Sequence, residues 1–199
     1  MSIQKIDPRT PVLVLFIVLT AGLRLLNAGN VISPIANFTP IGAMALFGGS
    51  YFSTNPKAFL FPLLTLFVSD VIMMQTFYKG YGSGLLYSGW YWTYAAFAVM
   101  VLIGRLIKKV SVKNVLIGAV AAAVAHWLIS DLGVWLAGGL DITTGKPYTR
   151  DVHGLIQCYV LAIPFMKNLL IGNLVYSGIL FGGFELLQRK YPSLQIRVA

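Results

Sequence analysis

Six apolar runs, on the scale of the roughly 20 residues that cross a bilayer as a helix, recur along the chain and leave little from which a soluble domain could be built. They predict helices near 11–28, 38–53, 58–78, 88–107, 114–137 and 166–187. Inside a bilayer each backbone N–H and C=O must be satisfied within the protein, which favours helices over open strands. The expected fold class is therefore all-α, a polytopic membrane helix bundle of about six transmembrane helices forming a single domain over residues 1–199. Composition agrees, with 57% hydrophobic and only 11% charged residues; soluble domains carry roughly a quarter charged.

The net charge of +9 would point to nucleic acid in a soluble protein, but the basic residues lie between the apolar runs and form no single stripe. They read as topology signals, and nucleic acid is not expected as a partner. Lys5, Arg9, Lys57, Arg105, Lys108, Lys109, Lys113, Arg189, Lys190 and Arg197 fall on one side of the six spans, and Lys79, Lys146 and Arg150 on the other. This imbalance predicts cytoplasmic N- and C-termini. Arg24 and Lys167 remain, in or at the edge of spans 1 and 6. Lys5 and Arg9 before the run Val12 to Leu23 resemble a signal peptide, yet no Ala-x-Ala-like site follows and further spans do, so an uncleaved first helix is expected. The single cysteine, Cys158, forms no internal disulfide framework.

Between spans 5 and 6, "GGLDITTGKPYTRDVH" is polar and turn-rich, and "GLIQCYVLAIPF" is too short to cross a bilayer. Pro164 disfavours helix at Ile163, which predicts a short outer helix near 153–163 and a fresh start of span 6 near Phe165 or Met166. The alternative is one long helix, 155–187, kinked at Pro164.

A charge near the centre of a spanning helix costs roughly 2.5–3.5 kcal/mol and requires a partner or a purpose. Asp70 and Asp131 are such charges. They recur in related settings, "TLFVSDVIM" and "HWLISDLGV", an echo compatible with two related halves around a shared site. One reading is a polar cavity open to the outside and faced by Asp70, Asp131 and His126. The other is a pair of struts in which the two carboxylates tie to Arg24 and Lys167. His126 and Ser130 lie about 40° apart on a helix and His126 and Asp131 about 140° apart, so no nucleophile, base and orienting acid share a face. The chain is not expected to be an enzyme. His126, His153 and Cys158 lack zinc spacing, and no phosphate-binding P-loop is present, so no metal or other cofactor is expected and any ATP-driven step belongs to another subunit.

Small residues four apart, Ala45/Gly49, Gly118/Ala122, Ala121/Ala125 and Gly178/Gly182, offer faces for close helix packing or partner docking. The aromatic run "LLYSGWYWTY" fits an interfacial belt. In "IANFTPIGAMALFGGSYF", Asn37 is suited to cap span 2, Pro40 is tolerated in the first turn, and Gly42, Gly48 and Gly49 allow close approach of neighbours or of a solute.

"NFTPIGAMALFGGSYF", "PLLTLFVSD", "GVWLAGG" and "GLIQCYVLAIPFMKN" followed by "GNLVY" resemble a family of small bacterial proteins of proposed transport function, over roughly residues 12 to 187. That family is similar in size and topology to the S components of energy-coupling factor (ECF) transporters. The resemblance implies a substrate-capture subunit of the bacterial cytoplasmic (inner) membrane, embedded in the lipid bilayer, with an ATP-driven energising module as a candidate partner. A small-molecule solute would be held near the outer face by Asn37, Asp70, His126, Asp131, Gln157, Lys167 and Asn168. Span 1 departs from the S-component pattern, since Thr20, Ala21 and Gly22 are clustered rather than spaced along it, and Asp70 and Asp131 would also allow ion coupling without ATP. A rival of a different class is a non-transporting accessory or scaffold membrane protein with intramembrane ion pairs.

Overall fold

The computed structural model describes residues 8–27, 37–79 and 84–195. Six α-helices carry nearly all of it: α1 (Arg9–Asn27), α2 (Ile41–Tyr51), α3 (Asn55–Gln75), α4 (Trp90–Leu106), α5 (Val112–Leu136) and α6 (Val152–Lys190), followed by a 3-10 turn at Pro192–Leu194. Among the described residues there is no strand, only one antiparallel bridge between Leu140 and Pro147. By length and composition α1, α3, α5 and α6 are apolar enough to cross a membrane, and α2 and α4 are shorter apolar helices. Large side chains such as Leu15, Leu19, Leu60, Leu64, Ile171 and Ile179 point outward from the bundle, as they do where lipid is the solvent.

The helix starts follow from local chemistry. Ser111 caps α5 by accepting from the Asn114 N–H at 3.2 Å, and Asp151 caps α6 by accepting from the Gly154 N–H at 2.8 Å. Pro56 sits in the first turn of α3, where a missing N–H leaves no bond unmade. Span 2 begins differently from the sequence expectation. Asn37 has φ +66 and is exposed, and the helix starts after Pro40, with Thr39 Oγ1 accepting from the Ile41 N–H at 3.4 Å. A left-handed Asn37 turns the chain three residues before the cap position, Pro40, and so cannot act as the cap.

The centre of the bundle is α2, packed by all five other helices and buried along nearly its whole length. Its glycines make this possible. A Cβ on Gly49 would strike the Val101 carbonyl and the Gly104 backbone, one on Gly48 would strike Pro62, and one on Gly42 would strike Asn173 and Met100. Phe47 stacks on Phe16 and meets Phe181 and Phe184 edge-on, arrangements that add to simple burial.

Two arginines hold one end of α2. Arg9 donates to the Tyr51 carbonyl at 2.9 Å and to the Leu194 carbonyl at 2.9 Å, and Arg105 donates to the Phe52 carbonyl at 2.7 Å. The start of α1, the ends of α2 and α4 and the C-terminal turn therefore share one end of the bundle, so successive helices alternate in direction.

The expected break at Pro164 does not occur. Helix α6 runs unbroken for 39 residues with Pro164 inside it, as in the alternative reading. Pro164 is exposed on an outward side of the helix, and the one backbone bond it removes is outweighed by the packing of the turns on either side. At 1.5 Å per residue α6 is about 58 Å long, nearly twice the roughly 30 Å hydrocarbon core of a bilayer.

Candidate functional site

The two mid-helix aspartates have different surroundings. Asp70 of α3 is buried, and Arg24 Nη2 of α1 lies 2.5 Å from its Oδ1. Arg24 also donates to Ser69 Oγ, Ser69 donates to the Leu66 carbonyl at 2.8 Å, and the Tyr94 hydroxyl of α4 donates to Asp70 Oδ2 at 3.0 Å. Both carboxylate oxygens are thus engaged, and three helices are joined. Nearby, in the loop before α4, burial and then the Asp70 charge push the Tyr87 phenol up to about 12, so it stays a neutral donor.

Asp131, in the last two turns of α5, is half-buried and has no cationic partner among the described residues. Among the described residues its side-chain hydrogen bond is with the Ser130 hydroxyl at 3.4 Å, the same distance that separates Ser130 Oγ from His126 Nδ1. Both are at the outer limit of a hydrogen bond, and the hydroxyl is chiefly committed to the His126 carbonyl at 2.7 Å. The Cys158 thiol of α6 donates to the Asp131 backbone carbonyl at 3.5 Å. Tyr148, Cys158 and Tyr159 lie within electrostatic reach of the carboxylate.

The loop 137–151 covers this end of the bundle and is built to hold one shape. Asp141, buried although it lies in a loop, accepts from the Thr143 N–H at 2.7 Å and the Thr143 hydroxyl at 2.6 Å, while its other oxygen accepts from Gln157 Nε2 of α6 at 2.6 Å. The Thr143 hydrogen bonds hold the Asp141 carboxyl below the usual carboxylate range. Trp135 donates its indole N–H to the Thr149 carbonyl at 2.8 Å, and Arg150 lies over the Trp135 ring. Tyr148 is buried beneath, and burial raises its phenol above the ordinary value.

The seven residues predicted from sequence therefore do not form one constellation. Among the described residues His126 and Asp131 are linked through Ser130. Asp70 belongs to the Arg24 network, and Gln157 is committed to Asp141. Asn37 is exposed, Lys167 is exposed and does not reach Asp131, and Asn168 beside it is half-buried. Among the described residues no group of three His, Cys, Asp or Glu is placed to hold a metal ion. The structure also picks out polar groups missed in sequence. Asn173 and Ser177, one turn apart on α6, are buried, with Asn173 Oδ1 and Ser177 Oγ lacking hydrogen-bond partners among the described residues. Their signal was present as polar residues in an apolar run, "GNLVYSG".

A family model matches residues 4–194, almost the whole chain. The chain belongs to the family of unknown function DUF6580. No curated protein and no solved structure matches it. In this DUF6580 member Asp131, near the 137–151 loop, is the mid-helix carboxylate without a cationic partner among the described residues.

Proposed function

We propose that the chain is a multi-pass membrane protein of the bacterial cytoplasmic membrane that captures a small solute at the end covered by the 137–151 loop, as an S-component-like subunit. The observation that supports this reading is the contrast between the two aspartates. Asp70 is fully paired, whereas Asp131 has a distant hydroxyl and no cation among the described residues. An anion in such a setting requires a donor or a counter-charge. A solute bearing an ammonium or another N–H donor supplies it, with Ser130, His126, Tyr148 and Tyr159 as neighbouring hydrogen-bonding groups. The excess of Lys and Arg at the end holding the start of α1 and the end of α6 argues for that end being cytoplasmic, which turns Asp131 toward the outside. In this reading the chain binds and releases without catalysing a reaction, and a separate ATP-driven module energises it.

Native mass spectrometry of protein gently extracted from its own membrane tests the reading. A retained small molecule that disappears in Asp131→Asn is the expected result. A ligand-free wild type, together with solute uptake by cells that is indifferent to Asp131→Asn, would sink it.

A second reading, a non-transporting accessory protein, is favoured by the Arg24–Asp70 pair, which is built as a strut. The two readings separate on partners. The accessory reading expects a stoichiometric membrane protein to co-purify and no solute.

A further inference from the structure

One face of α5 is turned away from the bundle and carries an open groove lined by Leu116, Ile117, Val120, Ala121, Val124 and Leu128. From Leu116 to Leu128 it runs about 18 Å along the helix, close to the roughly 15 Å depth of a single leaflet. Its two ends differ. At its Leu128 end α6 packs beside it: Trp127 donates to the Tyr159 carbonyl at 3.2 Å, and the Tyr159 hydroxyl donates to the Leu128 carbonyl at 2.9 Å. At the other end Lys113 lies one turn below Leu116 and Ile117 on the same stripe, and Lys108 and Lys109 are exposed in the loop before it.

These lysines stand in an unusual place. The first turn of α5 contains no acidic residue, so Lys113 adds its charge to the positive end of the helix macrodipole instead of balancing it. The Asn114 side chain donates to the Lys109 carbonyl at 2.8 Å, which fixes the loop beside the helix start. An apolar groove about one leaflet deep thus ends beside exposed lysines.

The length decides the occupant. An acyl chain ends within its own leaflet and carries its headgroup there, which matches an apolar stripe of this length ending at exposed lysines. We propose that the groove seats one acyl chain of an anionic phospholipid, with its phosphate on Lys109 and Lys113. The proposal is independent of solute capture, since it requires only that α5 lie in a bilayer.

The test uses the full-length protein in mild detergent, offered equal amounts of phosphatidylglycerol and phosphatidylcholine with identical acyl chains and read by native mass spectrometry. Wild type is expected to retain one phosphatidylglycerol in preference. Lys109→Gln with Lys113→Gln should cut that preference about thirty-fold at low salt, from the magnitude of two surface lysines acting on an anionic lipid. Val120→Trp, which fills the exposed groove, should lose both lipids while circular dichroism and melting stay unchanged. If that variant fails to fold, the lysine pair, which leaves the apolar face untouched, still decides the matter. Equal retention of the two lipids by wild type would overturn the proposal, as would a preference that survives the lysine substitutions. So would equally tight binding of glycerol phosphate lacking acyl chains, or a polypeptide, including a second copy of the chain, retained stoichiometrically and lost in Val120→Trp.

Discussion

The Arg24 guanidinium meets the Asp70 carboxylate at 2.5 Å across the α1–α3 contact, with the carboxylate side chain 1% exposed. Removing one member of a buried pair leaves the other uncompensated, at a cost of about 3–5 kcal/mol. Asp70→Ala should therefore lower the melting temperature in detergent far more than most single substitutions. The exchange Arg24→Asp with Asp70→Arg should recover part of the loss if the pair is a strut. No recovery, with loss of a bound solute, would instead assign Asp70 to the binding site.

Close approach at the α2–α4 crossing depends on glycine. A Cβ on Gly104 would stand 2.5 Å from the Leu46 carbonyl oxygen, a backbone atom that cannot swing aside. Gly104→Ala should cost about 1–3 kcal/mol, the usual penalty of overpacking. Gly178 has nothing within 4 Å of its would-be Cβ, so Gly178→Ala should be neutral or stabilising by up to about 1 kcal/mol, as alanine replaces glycine in a helix. Thermal melts of the two variants side by side check both signs. Equal destabilisation would mean that Gly178 packs on something.

Helix positions were legible in the sequence because hydropathy alone sets them, and α1, α3, α4 and α5 begin and end within about three residues of the expected limits. Contacts were less legible. The preference of Ile163 against helix before Pro164 is local, and it lost to the packing of α6 on both sides. The aspartate partners required knowledge of which faces meet: Arg24 reaches Asp70, but Lys167 points away from the bundle. Small-residue spacing flagged Gly49 but not its partner Gly104, since pairing across helices is absent from any one segment. It also flagged Gly178 and Gly182, which have nothing within 4 Å. Asp141 was not singled out, because a loop aspartate appears solvated until Thr143 and Gln157 are seen around it.

The Asp141 carboxyl lies below its ordinary value, first through the Thr143 hydrogen bonds, and Asp151 likewise through the Gly154 N–H and then Thr149. A group whose folded value is depressed stabilises above its unfolded value, about 3.9, and that contribution fades as pH falls through the folded value. Hydrogen exchange of residues 137–151 should stay flat from pH 8 to 5 after correction for intrinsic rates, and protection should drop below about pH 4. Asp141→Asn should weaken protection at neutral pH and flatten the acid response. A loop that opened between pH 7 and 5 would contradict this assignment.

Orientation can be read from thiol chemistry, because the chain has one cysteine and Cys158 is buried. Wild type should accordingly react slowly with a membrane-impermeant maleimide, and Cys158→Ala supplies a silent background. Lys146 is exposed in the 137–151 loop, and Lys109 is exposed at the opposite end of α5. The basic excess at the Lys109 end predicts that this end is cytoplasmic. Lys146→Cys should therefore label in intact cells, and Lys109→Cys only after permeabilisation. Labelling at Lys109→Cys alone in intact cells would invert the topology, turn Asp131 toward the cytoplasm and exclude capture of a solute from outside. Labelling at both would show that the helices between them do not form a closed barrier.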